Sequence, residues 1–214
     1  NESWRAKNST VQQRSLEFLQ KADLSELKAY QICLKALPQN SLLHLSNSMA
    51  VRYANFLGID DPTIDLFCNR GTSGIDGSNS TAVGASLASD KIVTLITGDM
   101  AFFYDRNAFW HNEDLSRLRI IVMNNAGGGI FGMIKGPRNQ ASYPKLFHTE
   151  QGLKAQHLSE EFGFSYSACQ TTNELEKALE DFFTPSEKAK IIEVFSEAEF
   201  NEEQLKAFKN YCLD

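Results

Sequence analysis

"IVTLITGDMAFFYDRNAFWHNEDLSRLRIIVMNNAGGGIFG", residues 92–132, contains two short apolar runs rich in β-branched residues, 92–96 and 119–123. Neither is long enough for a typical helix, and neither alternates as a half-wet strand would, so both read as strands buried on two faces. The first run leads into Gly98-Asp99, the second into Asn124-Asn125 and three consecutive glycines. A carboxylate and an amide pair therefore stand just past the carboxyl ends of two successive strands.

The same pattern extends outward in both directions. Further apolar runs lie at 42–45, 63–67, 165–168 and 190–195, with helix-like segments at about 48–57, 78–88, 105–116, 155–162 and 173–183 and a charged helix from about 201. Asp23 followed by Glu26 suits a helix start ahead of Leu27, Tyr30, Leu34 and Leu37, and Pro38 stops that helix. Buried strands separated by helices predict an α/β fold: a doubly wound, about six-stranded parallel sheet with helices on both faces. Residues 1–22 are polar and read as a linker or the tail of a preceding domain, leaving 23–214 as one domain. In such sheets ligands bind beyond the carboxyl ends of the strands, near the point where strand order reverses.

Composition narrows the function. A net charge of −6 over 214 residues argues against general nucleic-acid binding. No apolar run approaches the roughly 20 residues needed to span a bilayer. Cys33, Cys68, Cys169 and Cys212 are scattered without a Cys-x-x-Cys pair, which predicts buried structural thiols and a cytoplasmic setting. The histidines form no ligand cluster, so His111 and His148 read as structural or surface residues, and Glu113 as solvated helix surface. A first residue other than Met suggests a piece of a longer protein.

Asp99 and Asn125 supply one anionic and one neutral oxygen. Such a sparse oxygen set suits Mg²⁺, which completes its octahedron with phosphate oxygens and water. The glycine run 127–129 permits close backbone approach, so a carbonyl can be a third ligand and N–H groups can receive phosphate. The residues alone also fit a plain turn and a plain glycine loop. Adjacent strands would favour a metal-bridged diphosphate.

Gly98-Asp99, a spacer, then Asn124-Asn125 resembles the thiamine diphosphate signature, with Met100 in place of its second glycine. "NSMAVRYANF" (47–56) and "CNRGTSGIDGSNSTAVGAS" (68–86) are similar to the MenD-type 2-succinyl-5-enolpyruvyl-6-hydroxy-3-cyclohexene-1-carboxylate synthases. The likeness runs from about residue 24 to 196 and corresponds to the C-terminal, diphosphate-binding domain. It implies that Asp99, Asn125 and the Gly127 carbonyl hold Mg²⁺ (or Mn²⁺) on thiamine diphosphate. It also implies cofactor contacts from Gly98, Met100, Ala101, Ile75, Gly129, Ile130 and Phe131, with Ile75 packing beneath the cofactor and Ala101 offering its backbone N–H. Ser48, Arg52 and Arg70 are then the binders of substrate carboxylates, because a guanidinium fork matches them.

The implied reaction is decarboxylation of 2-oxoglutarate and addition of the succinyl unit to isochorismate, in menaquinone biosynthesis. The activating glutamate is expected in an absent N-terminal pyrimidine-binding domain, with a middle domain between. The full-length protein would be a homodimer or homotetramer, and this chain alone inactive. Phe102, Phe103, Tyr104, Phe109 and Trp110 are candidates for an association face. Two alternatives stand beside this reading: another thiamine diphosphate-dependent enzyme of the acetolactate synthase kind, or a non-catalytic cofactor-binding module.

Overall fold

The computed structural model describes residues 2–134 and 136–213. Its six strands are β1 (Leu42–Leu45), β2 (Asp65–Cys68), β3 (Val93–Gly98), β4 (Leu118–Asn124), β5 (Ser165–Cys169) and β6 (Lys190–Phe195). They form one parallel sheet in the order β2-β1-β3-β4-β6-β5. Strand order reverses between β1 and β3, so the crevice that such a sheet offers to ligands opens there.

Alternation along the strands builds two cores. Ile121 and Met123 of β4 point into one, with Ile96, Ile192 and Val194. Leu118, Ile120 and Val122 point into the other, with Val93, Leu95 and Ile191. The first core is covered by α1 (Glu2–Lys21), α2 (Glu26–Lys35), α3 (Met49–Leu57), α7 (Thr172–Phe182) and α8 (Ala198–Leu213). The second is covered by α4 (Ser78–Ala88), α5 (Asp99–Tyr104) and α6 (Ala155–Phe162). The doubly wound sheet expected from the sequence is therefore present.

Local differences have identifiable causes. Segment 105–116 is not a helix: α5 ends at Tyr104, and a single 3₁₀ turn follows at Arg106–Phe109. Asn79 donates to the carbonyls of Phe102 (2.8 Å) and Asp105 (3.1 Å), while Asp105 accepts from the Ser80 N–H and hydroxyl. Those side chains take up the groups that would carry the helix onward. Glu113 consequently lies in an exposed bend rather than on a helix.

At α2 the cap is Ser25, whose hydroxyl accepts from the Lys28 N–H, and not Asp23. Glu26 is thereby freed from capping and is buried. Helix α8 starts at Ala198, three residues before the expected point. Helix α1 lies against α8, with Leu19 fully buried and Phe18 edge-on to Phe208 at 5.6 Å.

Candidate functional site

Three loops meet beyond the carboxyl ends of β1, β3 and β4. In the β3–β4 register Gly98 is opposite Met123, which sets Asp99 next to the Asn124-Asn125 pair. The adjacency left open by the sequence is thus met. Around these loops lies a cavity of about 520 Å³.

Every site residue singled out from the sequence lines that cavity. Ser48 and Arg52 reach it from the start of α3, and Arg70 and Ile75 from the loop after β2. Gly98, Asp99, Met100 and Ala101 form the β3–α5 junction, and Asn125, Gly127, Gly129, Ile130 and Phe131 the β4 loop. Asn47 ties two of the loops together: its amide donates to the carbonyls of Asn69 (2.8 Å) and Gly74, and its Oδ1 accepts from Arg70 at 2.9 Å. Ser48 sits at φ 69°, in the left-handed region that side chains other than Gly seldom enter, and its carbonyl accepts from Arg52. Among the described residues neither Arg52 nor Arg70 has an acidic partner, and both are exposed. Their charge is left available to a ligand.

Asp99 is buried and accepts from the Met100 N–H at 2.7 Å and from the Gln151 amide at 2.8 Å. Burial pushes its carboxyl up to about 6, against the lowering effect of those hydrogen bonds. Asn124 and Asn125 point to opposite faces of the sheet. Asn124 donates to the buried Glu193 at 2.7 Å and accepts from the Ala126 N–H, which anchors the loop. Asn125 donates to Glu26 at 2.6 Å, and its Oδ1 is buried with no hydrogen-bond partner among the described residues. Burial pushes the Glu26 carboxyl up to about 7, opposed by the Asn125 hydrogen bond and reinforced by the nearby Asp99.

The glycine run is required for space. A Cβ on Gly127 would stand 2.6 Å from the His148 carbonyl, and one on Gly128 2.7 Å from that of Phe147. The π-helical turn Tyr143–His148 lies over the run, and the Gly128 N–H donates to the His148 carbonyl at 2.5 Å. His148 is therefore a structural residue of the roof over the site, its carbonyl meeting the glycine run. Glu26, Asn47, His148 and Gln151 were not legible as site residues. Asn47 opens the 47–56 motif that pointed to its neighbours; the other three lack any local signal.

These donors match a hard cation better than a soft one. Among the described residues no three His, Cys, Asp or Glu side chains cluster to hold a metal. One carboxylate, one unpartnered amide oxygen and a carbonyl-bearing glycine loop instead fit an ion that takes its remaining ligands from phosphate and water.

Comparison with known proteins identifies the family. The chain is 52% identical over 176 residues to a 2-succinyl-5-enolpyruvyl-6-hydroxy-3-cyclohexene-1-carboxylate synthase of Cytophaga hutchinsonii, covering 82% of this chain and 32% of that protein. It is 42% identical over 200 residues to the synthase of that name from Christiangramia forsetii, covering 94% and 34%. The chain thus spans about a third of the length of these curated relatives. Benzoylformate decarboxylase from Polynucleobacter necessarius shares the fold, with a TM-score of 0.67 at 16% identity over 82% of this chain and 33% of that one. The family model for the thiamine pyrophosphate enzyme C-terminal TPP binding domain matches residues 48–194, and the chain belongs to that family.

Proposed function

We propose that this chain is the diphosphate- and metal-binding domain of a synthase that decarboxylates 2-oxoglutarate and adds the succinyl unit to isochorismate. The observation that carries the reading is the buried Asn125 Oδ1, without a partner among the described residues, in the wall of a cavity that also presents Asp99, Gly127, Arg52 and Arg70. The names of the relatives at 42–52% identity support the substrate assignment.

Bound thiamine diphosphate would supply the means of cleaving and forming carbon–carbon bonds next to a carbonyl. The chain's own residues would hold and orient. Asp99, Asn125 and the Gly127 carbonyl would ligate Mg²⁺ or Mn²⁺. The Ala101 and Ile130 N–H groups would serve the diphosphate, and Ile75 the underside of the cofactor; the Met100, Gly129 and Phe131 N–H groups donate within the protein. Arg52 and Arg70, with Ser48, would receive substrate carboxylates; a pair of guanidinium groups suits acids bearing several of them. An activating glutamate, a pyrimidine-binding domain, a middle domain and a homodimeric or homotetrameric assembly belong to the same proposal, with a cytoplasmic setting.

The test is turnover by the full-length protein. Product formation from 2-oxoglutarate plus isochorismate, lost in Asp99→Ala, is the expected result. Turnover of pyruvate into acetolactate instead would favour the acetolactate synthase alternative. Cofactor binding with no carboligation of any tested acid would favour a non-catalytic module.

A further inference from the structure

Among the described residues the cavity wall holds one carboxyl group besides Asp99, that of Glu26, and the proposed function gives it no task. The residue is 4% exposed, and among the described residues it has no cationic partner. A carboxyl group buried in this way calls for a reason.

Its hydrogen bond to Asn125 supplies one. The two ends of an amide are chemically opposite, one a donor and one an acceptor, and either can face a given site unless a neighbour decides. An ionised carboxylate decides, because it only accepts, and a cation held beyond the amide favours that form. With Glu26 Oε1 receiving Asn125 Nδ2 at 2.6 Å, turning the amide over would set two oxygens against each other. The opposite end, Oδ1, is left buried and unpartnered in the wall that contains Asp99 and Gly127. Glu26 is itself fixed: its backbone N–H donates to Asn201 Oδ1 at 2.8 Å, and Asn201 donates to the Ser196 hydroxyl at 2.9 Å. A continuous chain therefore runs from α8 through the start of α2 to the Asn125 amide.

We propose that Glu26 is a positioning residue that locks the Asn125 side chain with its oxygen toward a divalent cation. The inference rests on the reading of Asn125 as a metal ligand. Partners of this kind behind metal ligands change metal affinity by about 10–100-fold when removed.

Mn²⁺ titration of the full-length protein by electron paramagnetic resonance, with thiamine diphosphate present, tests it without recourse to turnover. Glu26→Gln should weaken Mn²⁺ binding by about 10–100-fold, because a glutamine can meet either end of the amide, while circular dichroism stays native. Asn125→Asp should abolish binding by opposing two carboxylates. Adding Glu26→Gln to Asn125→Asp should restore it, since the new amide donates to one carboxylate oxygen and leaves the other for the ion. Native Mn²⁺ affinity in Glu26→Gln, or a double variant no better than Asn125→Asp alone, overturns the inference. In that case loss of binding in Asp99→Asn would leave the proposed function standing. A native protein that binds no Mn²⁺ would remove both.

Discussion

Asp99 and Glu26 are acids whose burial raises them to about 6 and about 7 from ordinary values of 3.8 and 4.5. The sign of the consequence is the reverse of the usual ion-paired carboxylate. Between the unfolded and folded values the native state holds the extra protons, so stability is full below about pH 4 and falls as pH rises toward 7. For Glu26 the loss is on the order of 3 kcal/mol. The metal-free protein should therefore melt higher at pH 5 than at pH 7.5, and Glu26→Gln should flatten that slope; a slope unchanged in the variant would deny Glu26 its part. Arg70 calls for a different measurement, because it is exposed and held by Asn47 rather than by an acid. Arg70→Ala should lower kcat/KM of the full-length protein by at least about 10-fold, the worth of one charge-assisted hydrogen bond, with the melting temperature nearly unchanged. Unaltered steady-state kinetics would take carboxylate binding away from this residue.

At the scale of elements, the β4 loop shows how much is local and how much is not. Strands β3 and β4 were legible because Val, Ile and Leu dominate both, and the chemistry at their ends was legible because Asp99 and Asn125 follow closely. The roof was not: its turn at Tyr143–His148 meets the glycines through backbone carbonyls, which carry no sequence signature. Gly127→Ala should push that roof away and weaken Mg²⁺–thiamine diphosphate binding by at least 10-fold, on the order of 1.4 kcal/mol, as read by calorimetry on the full-length protein. Native affinity would mean that the roof yields freely. The absent 105–116 helix teaches the same lesson, since Asn79 and Ser80, which engage its first turn, lie more than 20 residues away. The start of α7, by contrast, depends on local partners alone. Thr171 and Glu174 form a reciprocal capping box at the start of α7, and Thr171→Ala should cost about 1 kcal/mol in a urea melt.

Over the whole molecule the sheet was legible because its central strands are apolar on both faces and serve two cores, whereas the surface was legible only in part. Of the aromatic residues considered for an association face, Phe102 and Phe109 are core, and Phe103 is partly buried against it. Tyr104 and Trp110 remain, 70% and 75% exposed, at the end of α5 and just after the 3₁₀ turn. Sequence could not separate them because all five sit in one nine-residue stretch, Phe102–Trp110, and the irregular path after Tyr104 decides which ring turns inward. Two large rings left in water on the segment that follows Asp99 are the sort of surface that proteins cover by association. The chain spans about a third of its relatives, so the cover in the full-length protein can come from elsewhere in the polypeptide or from a second copy. Expressed alone, the chain should self-associate through these rings. Sedimentation velocity over a wide concentration range should show a rising mean mass, and Tyr104→Lys combined with Trp110→Lys should hold it at the monomer without lowering the melting temperature. A native chain that stays monomeric throughout, or a double variant that associates equally well, would place the contact elsewhere.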